Sequence, residues 1–426
     1  MNQSDKILLG REERALLIKE YLKDYKTVAT LKANMPGSDK NSYLSYLVVN
    51  AFSFLISQLG CDKYLYNRND DGPYLLFLFK EDIAQDLKRK TTHIEENHSL
   101  GRFVDIDVYN RIECLSRENK RRCFICDDLS INCMRTNKHS YEMIMAFLEK
   151  SVKDYYNEVL NEIIDFSIMS ELNLEPKFGL VTPNSIGSHK DMNYQLMIKA
   201  KEAIKPRIID MFFLTIEKKY DFNLINTLKN IGKSAETDMF KATNGINCYK
   251  GLIFNLGIMI SAYALKVSRY KPENIFDVAT KFSQNLLKDY KFDSLSYGDV
   301  AYSKFGVTGV RGEALSGFAN IKNGIGLIND LNAKDLLNLL VYYIIHVEDT
   351  TFLKRAKDIK FYHEVKEMFS NLDLNSDLDI LKLNDFCIAN NLSFGGSADL
   401  LVVSVFLKKI NNIGVNVFDR NNILNF

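Results

Sequence analysis

The chain has 426 residues, of which 46% are hydrophobic and 26% charged, and a formal net charge of +1. Near-neutrality excludes a general pull toward nucleic acid or an anionic membrane surface, and no apolar run reads as long enough to span a bilayer. The length asks for about two or three domains. The polar opening from Met1 to Lys6 argues against a secretory signal, and seven cysteines fit a reducing cytoplasm.

Leu8 to Tyr25 has helical apolar spacing. Thr27 to Ala33 alternates and is β-branched, so it reads as a strand. Tyr43 to Leu59 reads as a buried helix. Asp62–Asn67 and Pro73–Phe79 flank Asn69-Asp70-Asp71-Gly72, a hairpin turn signal. Glu81 to Lys90 is expected helical and Arg102 to Tyr109 a strand. This mixture predicts an α+β domain over residues 1–145. From Glu142 the strand signals vanish. Helical spacing recurs over Glu142–Glu171, Asp191–Lys201, Leu252–Lys266, Glu273–Asp289, Glu313–Asn329, Ala333–His346, Lys360–Phe369, Leu378–Asn390 and Ser397–Asn411. Residues 146–426 are therefore expected to form an all-α domain, with Gly414 to Phe426 as a tail.

Chemistry concentrates in a few places. In Gly101-Arg102-Phe103-Val104-Asp105-Ile106-Asp107-Val108, the two aspartates project from one strand face. Adjacent carboxylates repel unless a cation sits between them, and Mg²⁺ is the usual one. Arg102 and His98 stand just upstream as a phosphate contact and a proton carrier. A solvated strand face would explain the same pair. Cys123, Cys126, Cys133 and His139 are four soft ligands on a short tether, which suits structural zinc, although reduced cysteines in a small core are the plainer reading.

In the helical part, five glycine or hydroxyl turns sit at helix ends with charged residues beside them. They contain Lys177 with His189 and Asp191; Asn247 with Lys250; Arg311 with Glu313; Glu348 and Asp349 with Arg355; and Gly395, Gly396 and Ser397 with Asp399. Ser397 reads as an N-cap. Lys250 stands at the mouth of an apolar helix, where free N–H groups and the helix dipole favour an anion. Singly these are capping chemistry. Together they describe one polar pocket for a polyphosphate and its Mg²⁺.

The combination resembles known families. Gly101 to Val108, with Arg122-Cys123-Phe124-Ile125-Cys126, Cys133-Met134-Arg135, Leu9 to Ala15 and Asn34-Met35-Pro36-Gly37, resembles the transferase that attaches the prosthetic group of citrate lyase. Gly187 to Met192, Ala242 to Asn247 with Lys250-Gly251, Gly309 to Ala314 and Gly395 to Leu400 resemble triphosphoribosyl-dephospho-CoA synthase. The resemblance implies a fusion of two consecutive steps. ATP and 3'-dephospho-CoA would give 2'-(5''-triphosphoribosyl)-3'-dephospho-CoA and adenine. The phosphoribosyl-dephospho-CoA unit would then pass to a serine of the acyl carrier (gamma) subunit of citrate lyase, with release of pyrophosphate.

It further implies Mg²⁺ at Asp105 and Asp107. Asp191, Glu313, Asp349 and Asp399 become candidates for the base or for metal. Lys177, His189, Asn247, Lys250, Arg311 and the Gly395-Gly396-Ser397 turn become candidates for the phosphates. A cytoplasmic enzyme with no nucleic-acid or membrane partner is expected. The chain departs from the synthase pattern at Phe178 and Phe394, where proline is usual, at Thr182, where an acid is usual, and at Tyr249, where histidine is usual. Synthesis of the malonate decarboxylase prosthetic group, or a zinc-containing regulatory protein on a helical scaffold, are the competing readings.

Overall fold

The computed structural model describes residues 2–117, 120–269, 273–288 and 297–413, so the expected tail from Gly414 lies outside the described residues. Two compact units form, one centred on residues 2–159 and the other on 160–264 and 275–409.

The first unit runs α1 (Gln3–Asp24), β1 (Thr27–Ala33), α2 (Tyr43–Ser57), β2 (Lys63–Asn69), β3 (Gly72–Phe79), α3 (Ala84–Asn97), β4 (Val104–Tyr109), β5 (Cys114–Leu115) and α4 (Ser130–Arg135). Its antiparallel sheet has the order β2-β3-β1-β4-β5. Alternation decides which face each side chain takes. Val28, Leu65, Tyr74, Leu76 and Leu78 bury against Ile18 of α1. The intervening Ala29, Leu31 and Phe77 are fully buried on the face that α2 covers. Thr30 pairs with Asp107 and Lys32 with Asp105. Both aspartates therefore lie on the α1 face, at the polar end of its apolar patch.

Asp71, in the β2–β3 turn, ties α1 to the sheet. Its buried carboxylate accepts hydrogen bonds from Arg11 (3.1 Å), Arg14 (2.6 Å) and Lys32 (2.7 Å). Burial alone would raise its pKa. The bonds from Lys32 and Arg14 outweigh burial and hold the carboxyl below its ordinary value.

α5 (Tyr141–Leu172) leads into the second unit, followed by α6 (Tyr194–Glu217), α7 (Phe222–Ala242), α8 (Lys250–Arg269), α9 (Ile275–Leu287), α10 (Tyr297–Phe305), α11 (Gly309–Leu315), α12 (Ala319–Gly324), α13 (Ala333–His346), α14 (Thr350–Ala356), α15 (Ile359–Ser370), α16 (Asp377–Ala389) and α17 (Gly395–Asn411). Among its described residues this unit is helical throughout, as expected. α8 corrects the sequence reading of membrane-length segments. It is long and apolar enough to cross a bilayer, but 89% of its apolar stretch is buried inside the fold. Its apolarity is that of a core helix.

Other departures have local causes. α7 was not expected, yet Asp221 caps it and Leu224, Leu228, Ala235 and Met239 bury at helical spacing. The expected helix Glu313–Asn329 is broken, because Gly317 and Phe318 take positive φ (76° and 57°). The Glu313 carboxylate accepts from the Asn320 and Ile321 N–H groups and so caps α12. α6 continues to Glu217 with Pro206 inside it. Ser397 is not an N-cap: α17 begins at Gly395, and the Ser397 N–H donates to Asp349.

Replacing Asp71 by alanine would leave Arg14 and Lys32 without their shared anion. Asp71→Ala should destabilise the first unit by about 3–5 kcal/mol, read as a lowered urea midpoint. Because its folded pKa is depressed, this contribution is present above about pH 4 and is lost as pH falls through the folded value.

Candidate active sites

The first unit gathers charge around the β4 aspartates. Asp105 accepts from Arg121, which also donates to Glu95 at 3.1 Å. Glu95, buried at the end of α3, also accepts from Arg117 and from the Ile106 N–H at 2.9 Å. Lys88 donates to the Ile106 carbonyl at 2.9 Å. One buried carboxylate thus pins both the strand carrying the aspartates and the arginine beside them. Asp107 has its pKa raised, first by burial and then by the neighbouring Asp105 charge. Across the sheet, the Thr30 hydroxyl is buried without a hydrogen-bond partner among the described residues. A repelling carboxylate pair facing an orphaned hydroxyl fits a hard, oxygen-seeking cation such as Mg²⁺.

Two residues singled out from the sequence turn elsewhere. The His98 ring packs against Phe52 (4.3 Å) and Tyr155 (5.1 Å), and its Nδ1 accepts from the Leu100 N–H. Burial lowers its pKa to about 4. No hydrogen bond joins it to either aspartate among the described residues. Arg102 donates to the Cys123 and Cys126 carbonyls and to Asp127. The sequence reading missed Arg14, Lys32, Glu95 and Arg121. Their signal was weak, because Arg14 and Lys32 meet Asp71 from 57 and 39 residues away, and Arg121 meets Glu95 from 26.

In the second unit a pocket of about 760 Å³ brings together Lys177, His189, Asn247, Lys250, Arg311, Glu313, Asp349, Gly395, Gly396 and Asp399, all anticipated from sequence. Glu171, which was not anticipated, also lines it. Asp191 is exposed and Ser397 is buried, and neither is among the lining residues.

The candidate carboxylates differ in what occupies them. Asp349 caps α14 by accepting from the Thr351 and Phe352 N–H groups at 2.8 and 3.0 Å. Its other oxygen accepts from the Ser397 N–H at 3.0 Å, joining the first turns of α14 and α17. Glu313 is engaged by α12 and by the Asn320 amide at 2.7 Å. Asp399 has no hydrogen-bond donor among the described residues. Its pKa is raised well above the usual carboxylate range, first by burial and then by Asp349 and Glu171.

The cations are arranged in two layers. Lys177 is fully buried and donates to the Glu171 carboxylate at 2.9 Å. Arg311 pairs with buried Asp299 at 2.6 Å, and the more exposed Lys250 with Glu236 at 3.1 Å. The Asn247 side chain accepts from the Lys250 N–H at the start of α8. His189 accepts at Nδ1 from Arg355 and meets the Ser393 hydroxyl at Nε2, both at 2.9 Å. Burial, then Arg355, lowers its pKa to about 4, so it is neutral near pH 7.

The departures from the family pattern have structural readings. Phe178 and Phe394, which stand where proline is usual, both pack edge-on against Phe369, at 4.8 and 5.2 Å. Thr182 organises its own turn, donating to Glu175 and accepting from the Ser185 N–H. Tyr249 is buried in the pocket wall, its hydroxyl without a hydrogen-bond partner among the described residues.

Residues 157–417, more than half the chain, match the family model described as ATP:dephospho-CoA triphosphoribosyl transferase. The chain belongs to that family. Residues 2–155 match the model for apo-citrate lyase phosphoribosyl-dephospho-CoA transferase. "Protein CitXG" of Leuconostoc mesenteroides subsp. cremoris is 29% identical, with 95% of this chain and 96% of that protein covered. "Protein CitXG" of Haemophilus influenzae is 29% identical over 94% of each. A probable 2-(5''-triphosphoribosyl)-3'-dephosphocoenzyme-A synthase of Citrobacter koseri is 32% identical over 58% of this chain and 89% of its own length. The chain is a bifunctional transferase that assembles the citrate lyase prosthetic group from ATP and 3'-dephospho-CoA and transfers it to apo-citrate lyase. The malonate decarboxylase and regulatory readings are not favoured.

Gly251 makes this pocket testable. A Cβ there would stand 2.1 Å from the Asp399 Oδ2. The carboxylate is the end of a short side chain and would swing away. Gly251→Ala should therefore cut adenine release at least about ten-fold with a small change in urea midpoint, while transfer of pre-formed triphosphoribosyl-dephospho-CoA to apo-citrate lyase is unchanged.

Proposed function

We propose that the second unit performs the synthase step with Asp399 as general base, and the first unit the transfer step at Asp105 and Asp107. The observation that carries the first assignment is that Asp399 alone among the four candidate carboxylates both faces the pocket and lacks a hydrogen-bond donor among the described residues. In this reading Asp399 takes the proton of the dephospho-CoA 2'-hydroxyl as it attacks the ATP ribose carbon. Adenine departs, and the transition state resembles an oxocarbenium ion. A raised pKa suits a base that must hold a proton in the transition state. Lys250 and Arg311, aided by the N-terminus of α8, receive the triphosphate. Lys177 holds Glu171, and Arg355 holds His189 neutral and oriented.

In the first unit, a serine hydroxyl of the acyl carrier subunit attacks the phosphorus next to the ribose, and pyrophosphate leaves. Asp105, Asp107 and Thr30 would hold Mg²⁺, which supplies charge neutralisation at the transferring phosphate. Lys32 and Arg14 stand on the same face and meet the leaving pyrophosphate. Glu95 and Arg121 keep Asp105 in place. Both sites use nucleotide substrates of the cytoplasm, where we place the protein.

The two steps separate by mutation. Asp399→Asn should lower adenine release by about 10²–10⁴-fold and leave transfer of pre-formed triphosphoribosyl-dephospho-CoA intact. Asp105→Asn should do the reverse. In the wild type, kcat/KM for adenine release should rise as pH climbs through the elevated Asp399 pKa. A limb at the ordinary carboxylate value, or one that persists in Asp399→Asn, would show that another group is the base.

A further inference from the structure

The segment 120–139 of the first unit is held by little that folding usually supplies. Cys123 and Cys133 are its only buried residues. Its regular structure is one bridge, Arg122 to Leu129, and the six-residue helix α4. Ile131 and Met134 are exposed (44% and 75%). A segment that buries so little apolar surface needs another source of order.

That source is visible in the side chains. The Sγ atoms of Cys123, Cys126 and Cys133 and a ring nitrogen of His139 all lie within 4.8 Å of one another. The Cys126 and Cys133 sulfurs are 3.5 Å apart, and His139 Nε2 is 3.3 Å from Cys126 Sγ. A tetrahedron with arms of about 2.3 Å has edges of about 3.8 Å, so separations of 3.3 and 3.5 Å, and none above 4.8 Å, are those of ligands that could close on one zinc ion. Backbone N–H groups of Ile125 and Cys126 beside the Cys123 sulfur, and that of Asp128 beside the Cys126 sulfur, favour the thiolate forms. Three thiolates and a neutral imidazole around Zn²⁺ leave one net negative charge; Arg102 and Lys138 lie at the loop, paired with Asp127 and Asp128, and Arg122 donates to the Asp127 carbonyl. Three sulfurs and one nitrogen at tetrahedral spacing select zinc over the oxygen-seeking divalent ions.

We propose that Cys123, Cys126, Cys133 and His139 bind one structural Zn²⁺. The ion staples the segment that carries Arg121, two residues before the first ligand, onto Asp105. The Ser130 N–H donates to the Arg121 carbonyl at 2.9 Å, so closure of the cysteine loop fixes the arginine's backbone directly. Metal binding is thereby folding energy for one wall of the transferase site. The link to Asp105 rests on the transferase reading of this unit, whereas the metal content does not.

The test uses the full chain, expressed with zinc and purified without chelator. Elemental analysis should find about one zinc per chain, retained in Cys61→Ser and lost in Cys126→Ser. Stripped under reducing conditions and reloaded with cobalt, the wild type should show thiolate charge-transfer absorption and the strong visible bands of a tetrahedral ion. Stripped chain, returned to Mg²⁺ buffer, should label apo-citrate lyase at least about ten-fold more slowly while releasing adenine at the native rate. Wild-type protein without bound zinc and without a tetrahedral cobalt spectrum would overturn the site, whatever the activity. Zinc that remains in Cys126→Ser would overturn the ligand set. A metal-free chain that labels at full rate would overturn the link to Arg121.

Discussion

Electrostatic repulsion between neighbouring carboxylates is the constraint on which both sites depend. Asp105 and Asp107 share one face of β4, and Asp349, Asp399 and Glu171 share one pocket wall. Folding can hold such groups together only if their charges are offset, by cations, by backbone N–H groups or by protons. The protein uses each device at a different residue. Glu171 takes Lys177, Asp349 takes the helix N-termini of α14 and α17, and Asp105 takes Arg121. Asp107 and Asp399, with raised pKa values like Asp349, have no hydrogen-bond or ion-pair partner among the described residues. The groups least satisfied by the fold are the ones to which we assign the chemistry.

This division separates supporting from reacting residues. Asp71 with Arg11, Arg14 and Lys32 is a buried charge cluster that fastens α1 to the sheet, yet two of its cations also border the aspartate pair. Glu95 does similar double duty, capturing the Ile106 N–H and Arg121 together. In the helical unit, the Arg355–His189–Ser393 chain fixes a neutral imidazole at the pocket wall. Substitutions at such positions should act on both stability and rate, because positioning and packing are carried by the same side chains.

Much of this was legible in the sequence. The hairpin at Asp70 and Asp71, the strand β1, the change to an all-helical chain and helix Ala333–His346 follow from alternation, turn chemistry and helical spacing, which are local. The pocket residues were legible because helix ends advertise themselves through glycine, hydroxyl and charged residues. What local pattern does not encode is pairing across the chain. Arg14 and Lys32 gain meaning only when β3 brings Asp71 between them. His98 and Arg102 sit beside the aspartates in sequence, but an aromatic cage and the cysteine loop claim them in space. Ser397 looked like a cap because its own helix start was placed two residues late. The break at Gly317 and Phe318 depends on the Glu313 carboxylate reaching forward to α12, a tertiary bond that apolar periodicity cannot report.

One chain builds a nucleotide and then transfers part of it to a protein. The most direct measurement is adenine release by the wild-type full-length chain from ATP and Mg²⁺, with and without 3'-dephospho-CoA. Adenine that forms only when dephospho-CoA is present, together with a product that modifies subsequently added apo-citrate lyase and liberates pyrophosphate, is the predicted result. Adenine formation independent of dephospho-CoA, or none under conditions where a related synthase is active, would contradict it.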